Sequence, residues 1–362
     1  MNVLIAGGGI AGPAAAIALA KAGISSEVFE AYPEDSDETG AFLTLTANGQ
    51  DALHAIDAGQ PVLAASFPAT RLRLFSSSGV LLVDAPLGHD RPCSRTITRA
   101  ALSALLRAQA AERDIRVHYG KRVVTAATSR KGQVTATFSD GTRATADLLI
   151  GADGIHSPVR TLIDPHAPVP RYTGLTIACG YTDTPPPAPA GTEGYAMYYG
   201  SRAFFGCTAG PDNRTWWFAR IPGLPPAGTI SYSADRIAAA FDGDSTPAAQ
   251  LIRSAAGPLT VTSARDLAHL PAWSSNAMIV IGDAAHAASP ATTQGASMAI
   301  EDAVVLAPRR THRPIRSRRR QSRAAEPAVR VTARESRGMA IRLPHRLARN
   351  CHSCRRSCGG SR

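Results

Sequence analysis

Gly7, Gly9 and Gly12 stand at the spacing Gly-x-Gly-x-x-Gly, directly after the apolar run Val3-Leu4-Ile5-Ala6 and ahead of an alanine-rich stretch from Ala14 to Ala22. That order reads as a strand, a tight turn and a helix. The glycines permit the turn itself, a close approach of backbone to a pyrophosphate, and tight packing of helix on strand. Phosphates would then rest against the positive end of the helix, with Ala11 in the turn beside them. A second apolar strand, Glu27-Val28-Phe29-Glu30, ends in a carboxylate 18 residues after Gly12. A partner for a ribose hydroxyl belongs there, which makes Glu30 the candidate.

A second constellation lies more than 250 residues downstream. The apolar run Ala277-Met278-Ile279-Val280-Ile281 leads into Gly282-Asp283-Ala284-Ala285-His286. A strand that ends in Gly-Asp presents a carboxylate beside backbone that a sugar-like chain can approach, and Asp283 can accept a hydrogen bond from a hydroxyl. Taken alone, Asp283 reads equally well as a turn-capping aspartate. The turn from Thr293 to Gly295 opens a helix to about Leu306, so the free N–H groups around Gln294, Gly295 and Ala296 would point at whatever lies in front of them. Asp153-Gly154, after the apolar Leu148-Leu149-Ile150, is open to two readings, a cofactor contact or a common turn pair. His286 reads as a structural residue with no proton-transfer role.

These residues need a doubly wound αβ frame to hold them. A helix is expected around Gly49 to Ala58, a β-hairpin over Arg71 to Val83, and a helix from Arg99 to Arg113 with Leu102, Leu105, Leu106 and Ala110 on one face. A strand series follows through Arg116-Val117-His118-Tyr119, Val123 to Thr128 and Val134 to Phe138, turning at Ser139-Asp140-Gly141. From about Tyr172 to Thr262 aromatics, β-formers and proline-rich turns dominate, which indicates an inserted sheet. The expected division is a discontinuous nucleotide domain over 1–70, 91–170 and 263–306, a sheet domain over 71–90 and 171–262, and an arginine-rich tail over 307–362 that builds no core.

Four motifs in this order resemble the FAD-dependent aromatic hydroxylases, the class A flavoprotein monooxygenases of the para-hydroxybenzoate hydroxylase fold, over about residues 1–306. They are the glycine fingerprint with Glu30; Arg99-Ala100-Ala101-Leu102; Gly151-Ala152-Asp153-Gly154 with Arg160; and Gly282-Asp283 with Pro290, Gln294-Gly295-Ala296 and Glu301-Asp302-Ala303. The resemblance implies an α/β fold, a Rossmann-like FAD-binding domain with an inserted β-sheet substrate domain. It implies that Arg99 reaches the FAD, that Asp153 supports it, and that Pro290 lies beside the flavin near the reacting carbon. It further implies that NADH or NADPH reduces FAD and that O2 is captured as a flavin C4a-hydroperoxide. The terminal oxygen then passes to an aromatic or polycyclic small molecule. No second glycine fingerprint is present, so the nicotinamide would visit transiently. Arg99 is the firmer of the two arginines, because it begins a helix directed at the site, while Arg160, after Pro158, is open to a second reading as a surface pair. Ala47 before Asn48-Gly49 and Ala31 after Glu30 depart from the usual proline and basic residue.

Composition bounds the alternatives. In a chain of 362 residues with 44% hydrophobic content, the +11 net charge divides into +15 over residues 307–362 and −4 over 1–306, so the body has no basic footprint for nucleic acid or membrane. Six scattered cysteines suit a reducing cytoplasm, and no membrane span or metal site is expected; Cys351, His352, Cys354 and Cys358 give only partial zinc spacing. One rival is a flavin-dependent halogenase, whose Trp-x-Trp-x-Ile-Pro stretch Trp217 to Pro222 approaches with Ala219 for the second tryptophan. Another is a nonspecific nucleic-acid or membrane-surface binder acting through the tail. The Ala, Arg, Pro and Ser bias beyond Pro308 is what a shifted reading frame in a GC-rich gene would produce, where the resemblance implies further covering helices.

Overall fold

A computed structural model describes residues 1–34, 41–87, 93–186, 194–223, 232–288 and 293–307. The arginine-rich tail beyond residue 307 and Pro290 lie outside the described residues. The fold is mixed α/β. Its first layer is a parallel sheet in the order β18–β12–β1–β2–β8. These strands are β1 (Asn2–Ala6), β2 (Ser25–Phe29), β8 (Val117–His118), β12 (Leu148–Gly151) and β18 (Met278–Val280). The three strands β1, β12 and β18, covered on both faces, read as apolar runs rather than alternating ones. The strand expected over residues 116–119 is reduced to β8, and it pairs in parallel with β2 instead of joining the segments after it. Those segments, β9 (Val123–Thr128), β10 (Val134–Phe138) and β11 (Arg143–Ala146), make their own antiparallel meander.

Helix α1 (Ala11–Lys21) packs against α4 (Arg99–Ala111) and α9 (Gly295–Leu306). Ala14, Ala15 and Ala16 are fully buried there. Only small side chains let α1 approach both neighbouring helices and the sheet this closely, so the alanine run is a packing device as well as a good helix former. The stretch expected as one helix near residues 49–58 is two, α2 (Ala47–Ala55) and α3 (Gly59–Ala64), broken at Asp57 with φ of 57°. Helix α5 (Pro158–Ile163) follows β12, and α8 (Asp283–His286) is a single turn after β18.

The largest sheet has seven strands in the order β17–β13–β16–β15–β14–β5–β6. They are β5 (Arg71–Ser76), β6 (Leu81–Pro86), β13 (Arg171–Thr182), β14 (Gly194–Tyr199), β15 (Phe204–Ala209), β16 (Thr215–Pro222) and β17 (Thr260–Asp266). One face is covered by α6 (Ala234–Ala238) and α7 (Ala248–Arg253), which close a core over Phe205, Cys207, Trp217 and Ala219. A small sheet, β3 (Phe42–Leu45), β7 (Ser94–Thr98) and β4 (Phe67–Ala69), meets the opposite face. The Tyr195 hydroxyl joins these two layers, 2.9 Å from Thr44 Oγ1 and 2.6 Å from Thr96 Oγ1.

Candidate active site

Four neighbouring strands of the parallel sheet deliver the predicted residues along one edge. Reading across β18, β12, β1 and β2, their carboxyl ends carry Asp283, Asp153, Gly7 and Glu30. Three strand spacings amount to roughly 14 Å, an extended span at the edge where open α/β sheets bind their ligands.

At the β1 end the glycines have separable duties. Gly7 has φ of 108°, and a Cβ there would stand 2.3 Å from the Ala152 carbonyl oxygen, so this glycine lets the loop after β12 press against the one after β1. A Cβ on Gly12 would fall 1.8 Å from Gly7 O. Around Gly9 there is nothing within 4 Å. Gly7 and Gly12 therefore shape the turn, and Gly9 leaves room in front of it. Glu30 is held beside the turn by N–H donors, Gly8 N to Oε2 at 2.5 Å and Tyr32 N to Oε1 at 2.9 Å. Of the three longest described helices, α4 is capped by the Thr98 side chain, whereas α1 and α9 have no side-chain cap and no acid in the first turn. Their N-terminal N–H groups thus keep capacity for an anionic ligand.

The loop after β12 and the turn after β18 are tied together by Arg160. This arginine is 3% exposed. Its Nη2 donates to Ile155 O at 2.8 Å and its Nη1 to Ala284 O at 3.1 Å. This decides against the surface pairing that the sequence left open for Arg160: Ser157 caps α5, Pro158 starts it, and the third residue of the helix points its guanidinium back into the loop. Burial lowers the Arg160 pKa, with the Asp153 carboxylate opposing. Asp153 Oδ2 accepts from Val159 N at 3.1 Å, and its buried Oδ1 has no hydrogen-bond partner among the described residues. Burial raises the Asp153 pKa against the pull of Ser157 and the Val159 N–H.

Gly282 brings the late motif onto the early one. With φ of 59°, it sits where a Cβ would be 3.1 Å from Ala11 Cβ and 3.2 Å from Ala299 Cβ. Asp283 is exposed and lines a cleft. The protein packed behind it raises its pKa, while the charges of His286 and Arg99 act in the opposite direction. Arg99 itself is exposed, at the first position of α4. Gly295 faces Asp283, since a Cβ on it would be 3.8 Å from Asp283 Oδ1, and Ala296 packs into the core beside α1. Gln294 Oε1 lies 3.4 Å from Thr46 Oγ1 and 3.5 Å from Asn48 Nδ2, and Asn48 Nδ2 donates to Glu301 Oε2 at 3.0 Å.

His286 is part of a polar clasp. Asp302 Oδ2 accepts from Gly282 N at 2.8 Å and lies 2.6 Å from His286 Nε2. Burial disfavours the imidazolium, yet the hydrogen bond and charge of Asp302 outweigh it, and the His286 pKa is raised. A raised histidine contributes stability that is complete below its unfolded value of about 6.5 and is lost as pH climbs through the higher folded value. Unfolding titrations from mildly acidic to alkaline pH should show this decline in the wild type. In Asp302→Asn the same slope should flatten, and an unchanged slope would remove His286 as its source.

Thr293, just ahead of α9, has φ of 54°. Such a conformation is an outlier for a β-branched residue. Relieving it with Thr293→Gly should gain about 1–2 kcal/mol, against a glycine entropy cost of about 0.5–1 kcal/mol. A net rise in stability is expected, measured by urea unfolding of the flavin-free chain; a loss would show that Thr293 contacts outweigh the strain.

The cleft that Asp283 lines has a volume of about 520 Å³ and reaches Ile177 and Thr262 of the seven-stranded sheet. Strand alternation puts Trp217 and Ala219 against the helices, and hence Trp216, Phe218 and Arg220 on the opposite face with Ile177. That face is aromatic. Phe42 lies 5.9 Å from both Trp216 and Phe218, and Tyr181 meets Trp216 edge-on at 5.5 Å. Reasoning from sequence found the glycines and both turns but missed the Arg160 brace and the Asp302 clasp. The signal for Arg160 was the Ser157-Pro158 helix start.

Open space before Gly9, an anchored acid at Glu30 and the enclosed Asp153 Oδ1 fit an FAD laid along this edge. A model of the FAD binding domain matches residues 1–309. The aurachin C monooxygenase/isomerase of Stigmatella aurantiaca is 30% identical over 322 residues, covering 85% of this chain and 80% of that protein. The 2-heptyl-3-hydroxy-4(1H)-quinolone synthase of Pseudomonas aeruginosa is 32% identical over 316 residues, with 85% and 80% covered. Among solved structures, Klebsiella pneumoniae HpxO complexed with FAD and uric acid superposes with a TM-score of 0.74 at 27% identity, covering 85% of this chain and 79% of that one. Fold, edge geometry and these likenesses agree, and the chain belongs to the FAD-dependent monooxygenases of the para-hydroxybenzoate hydroxylase fold.

Proposed function

We propose that the chain uses NAD(P)H and O2 to hydroxylate a flat aromatic or polycyclic small molecule. The supporting observation is that Asp283, at the late end of the nucleotide edge, lines one cleft with Ile177 of the aromatic sheet. A ring seated there would have the flavin end on one side and the sheet on the other. FAD, when bound, takes a hydride from NAD(P)H and activates O2 for transfer to the substrate. The relatives named for aurachin C and for a quinolone, and the uric acid in HpxO, favour planar heteroaromatic substrates.

The roles follow position. Gly7, Gly9, Ala11 and Gly12 would take the pyrophosphate and Glu30 the adenosine ribose, while Arg99, Asp153 and Asp283 would serve the late half. Gln294, Gly295 and Ala296 start α9, whose uncapped N-terminus offers positive potential to a reduced flavin ring. Pro290 is assigned beside the flavin by resemblance alone. The nicotinamide would enter transiently through the same cleft, where Arg265 offers charge to its phosphates. Helix N-termini and aromatic walls do their part by orienting reactants and excluding water. No described helix is long and apolar enough to cross a membrane, and the thiols of Cys93, Cys179 and Cys207 are free, which suits a reducing cytoplasm.

The test is mass spectrometry of products formed from NAD(P)H, labelled O2 and a panel of aromatic compounds. One labelled oxygen atom in the product is expected. Chlorinated product in chloride buffer, or NAD(P)H oxidation that never labels any aromatic, would contradict the proposal.

A further inference from the structure

Helix α4 carries Arg99, Ser103 and Arg107 at intervals of four residues, so all three share one face. The charge of the first acts on the Asp283 carboxylate. The last reaches the glycine turn, where its Nη1 donates to Gly8 O at 3.3 Å and to Ser103 Oγ at 3.0 Å. From Arg99 to Arg107 the helix rises about 12 Å, close to the two strand spacings, about 10 Å, that separate β18 from β1. This face of α4 therefore runs alongside the nucleotide edge, from its late end to its early one. Ser103 is buried and the adjacent Leu102 and Leu106 sit in the core, so the backbone beneath Arg107 is fixed by packing.

Gly8 is buried, and both its polar groups are held by side chains from other elements. Its N–H donates to Glu30 Oε2, past the end of β2, and its carbonyl accepts from Arg107 on α4. The peptide that carries this carbonyl also carries the N–H of Gly9. In a trans peptide the two point in opposite directions, so the Arg107 bond aims the Gly9 N–H away from α4. Among the described residues nothing accepts from that N–H, and nothing stands within 4 Å of where a Cβ on Gly9 would be. A Gly-Gly peptide turns over more readily than any other, because neither residue has a Cβ to resist it. The spacing of the glycines gives the turn its room, and an outside clamp has to give it direction.

Resting on the placement of the pyrophosphate before Gly9 given above, we propose that Arg107 is a positioning residue for the cofactor: by holding the Gly8 carbonyl it keeps the Gly8–Gly9 peptide turned with its N–H toward the pyrophosphate oxygens. Arg107 acts through the backbone and needs no contact with the ligand. Ser103 fixes the rotamer from which it does so, as the second acceptor of the same Nη1. A donor set in advance spares FAD the cost of ordering the turn when it binds. Methionine at this position keeps the apolar stem and the helix propensity but loses the donor, whereas lysine keeps a donor of similar reach.

The experiment titrates the flavin-free full chain with FAD at about 0.05 M and about 1 M salt, and records phosphorus NMR and visible spectra of the FAD-loaded chain. In wild type the pyrophosphate resonances should be displaced from those of free FAD. Arg107→Met should bind FAD about tenfold more weakly at both salt concentrations, with its phosphorus resonances moved toward the free positions and the flavin absorbance band unchanged in shape. Arg107→Lys should recover most of the affinity. If the methionine variant does not fold, Arg107→Gln, with its shorter arm, is read by the same criteria. Wild-type affinity with unmoved phosphorus resonances would overturn the proposal, as would a lysine variant no better than methionine, or a flavin band altered along with the phosphorus signals, which would mean general loosening. A loss that disappears in concentrated salt would also overturn it, making Arg107 a charge near the phosphates and not a clamp on the peptide. Wild-type resonances identical to those of free FAD would instead overturn the placement of the pyrophosphate itself, and the proposal with it.

Discussion

Gly12→Ala is expected to yield a destabilised chain that retains no FAD, whereas Gly9→Ala is expected to fold normally and still fail to hold the nucleotide tightly. The two outcomes separate because of what each new methyl group meets. On Gly12 it would lie 1.8 Å from the Gly7 carbonyl oxygen and 3.3 Å from Ile5 Cγ2. Backbone cannot swing aside as a flexible side chain can, so α1 or the turn must shift, at about 1–3 kcal/mol for overpacking of this kind. On Gly9 it meets nothing within 4 Å. Stability should therefore hold or rise by about 0.4–1 kcal/mol, as glycine-to-alanine changes do where the backbone allows them. The methyl would fill the space kept for a pyrophosphate, and FAD affinity should drop at least about tenfold, some 1.4 kcal/mol. Urea unfolding of the flavin-free chains and FAD titration read the two effects independently. A Gly9→Ala chain with unchanged FAD affinity would mean that the open side of the turn does not face the cofactor.

The second large effect is expected at Arg160. Replacing it with leucine keeps much of the buried volume but removes the donors that satisfy Ile155 O and Ala284 O, and the charge that faces Asp153. A buried ion pair exchanged whole for apolar side chains can be neutral. Here the acceptors are backbone carbonyls that no substitution can take away, so the loss resembles the breaking of a buried pair at about 3–5 kcal/mol. Set against a total stability of roughly 5–15 kcal/mol, that would bring the chain close to unfolding. The damage should also reach function, because the same side chain fixes the turn that carries Asp283 against the loop that carries Asp153. Urea unfolding with and without saturating FAD would show it. A leucine variant within about 0.5 kcal/mol of wild type would mean that Arg160 braces nothing.

Much of this site is legible in the chain because glycine spacing and apolar runs report directly on backbone geometry. Gly7, Gly9 and Gly12 announce a turn that only small residues allow, and Glu30 follows at the end of the next strand. The helix from Gly295 to Leu306 is equally plain from its turn and its small-residue pattern. Side-chain direction is another matter. Nothing local says whether Arg160 turns inward, or which of Trp216, Trp217 and Phe218 face the helices, since both faces of β16 carry aromatic side chains. The pairing of β8 was hidden for a different reason: two residues carry too little pattern to say which sheet they join. Thr293 was hidden because left-handed backbone is expected at glycine, and sequence gives no warning when threonine adopts it.

The central claim is that the carboxyl edge of the parallel sheet, from Glu30 through Gly7 and Asp153 to Asp283, holds FAD lengthwise. Its most direct test is reconstitution of the full chain with FAD, followed by gel filtration and visible spectroscopy of the protein peak. The account predicts flavin absorbance eluting with the chain in stoichiometric amount, and its loss in Gly9→Ala. A cooperatively folded chain that elutes colourless would contradict it.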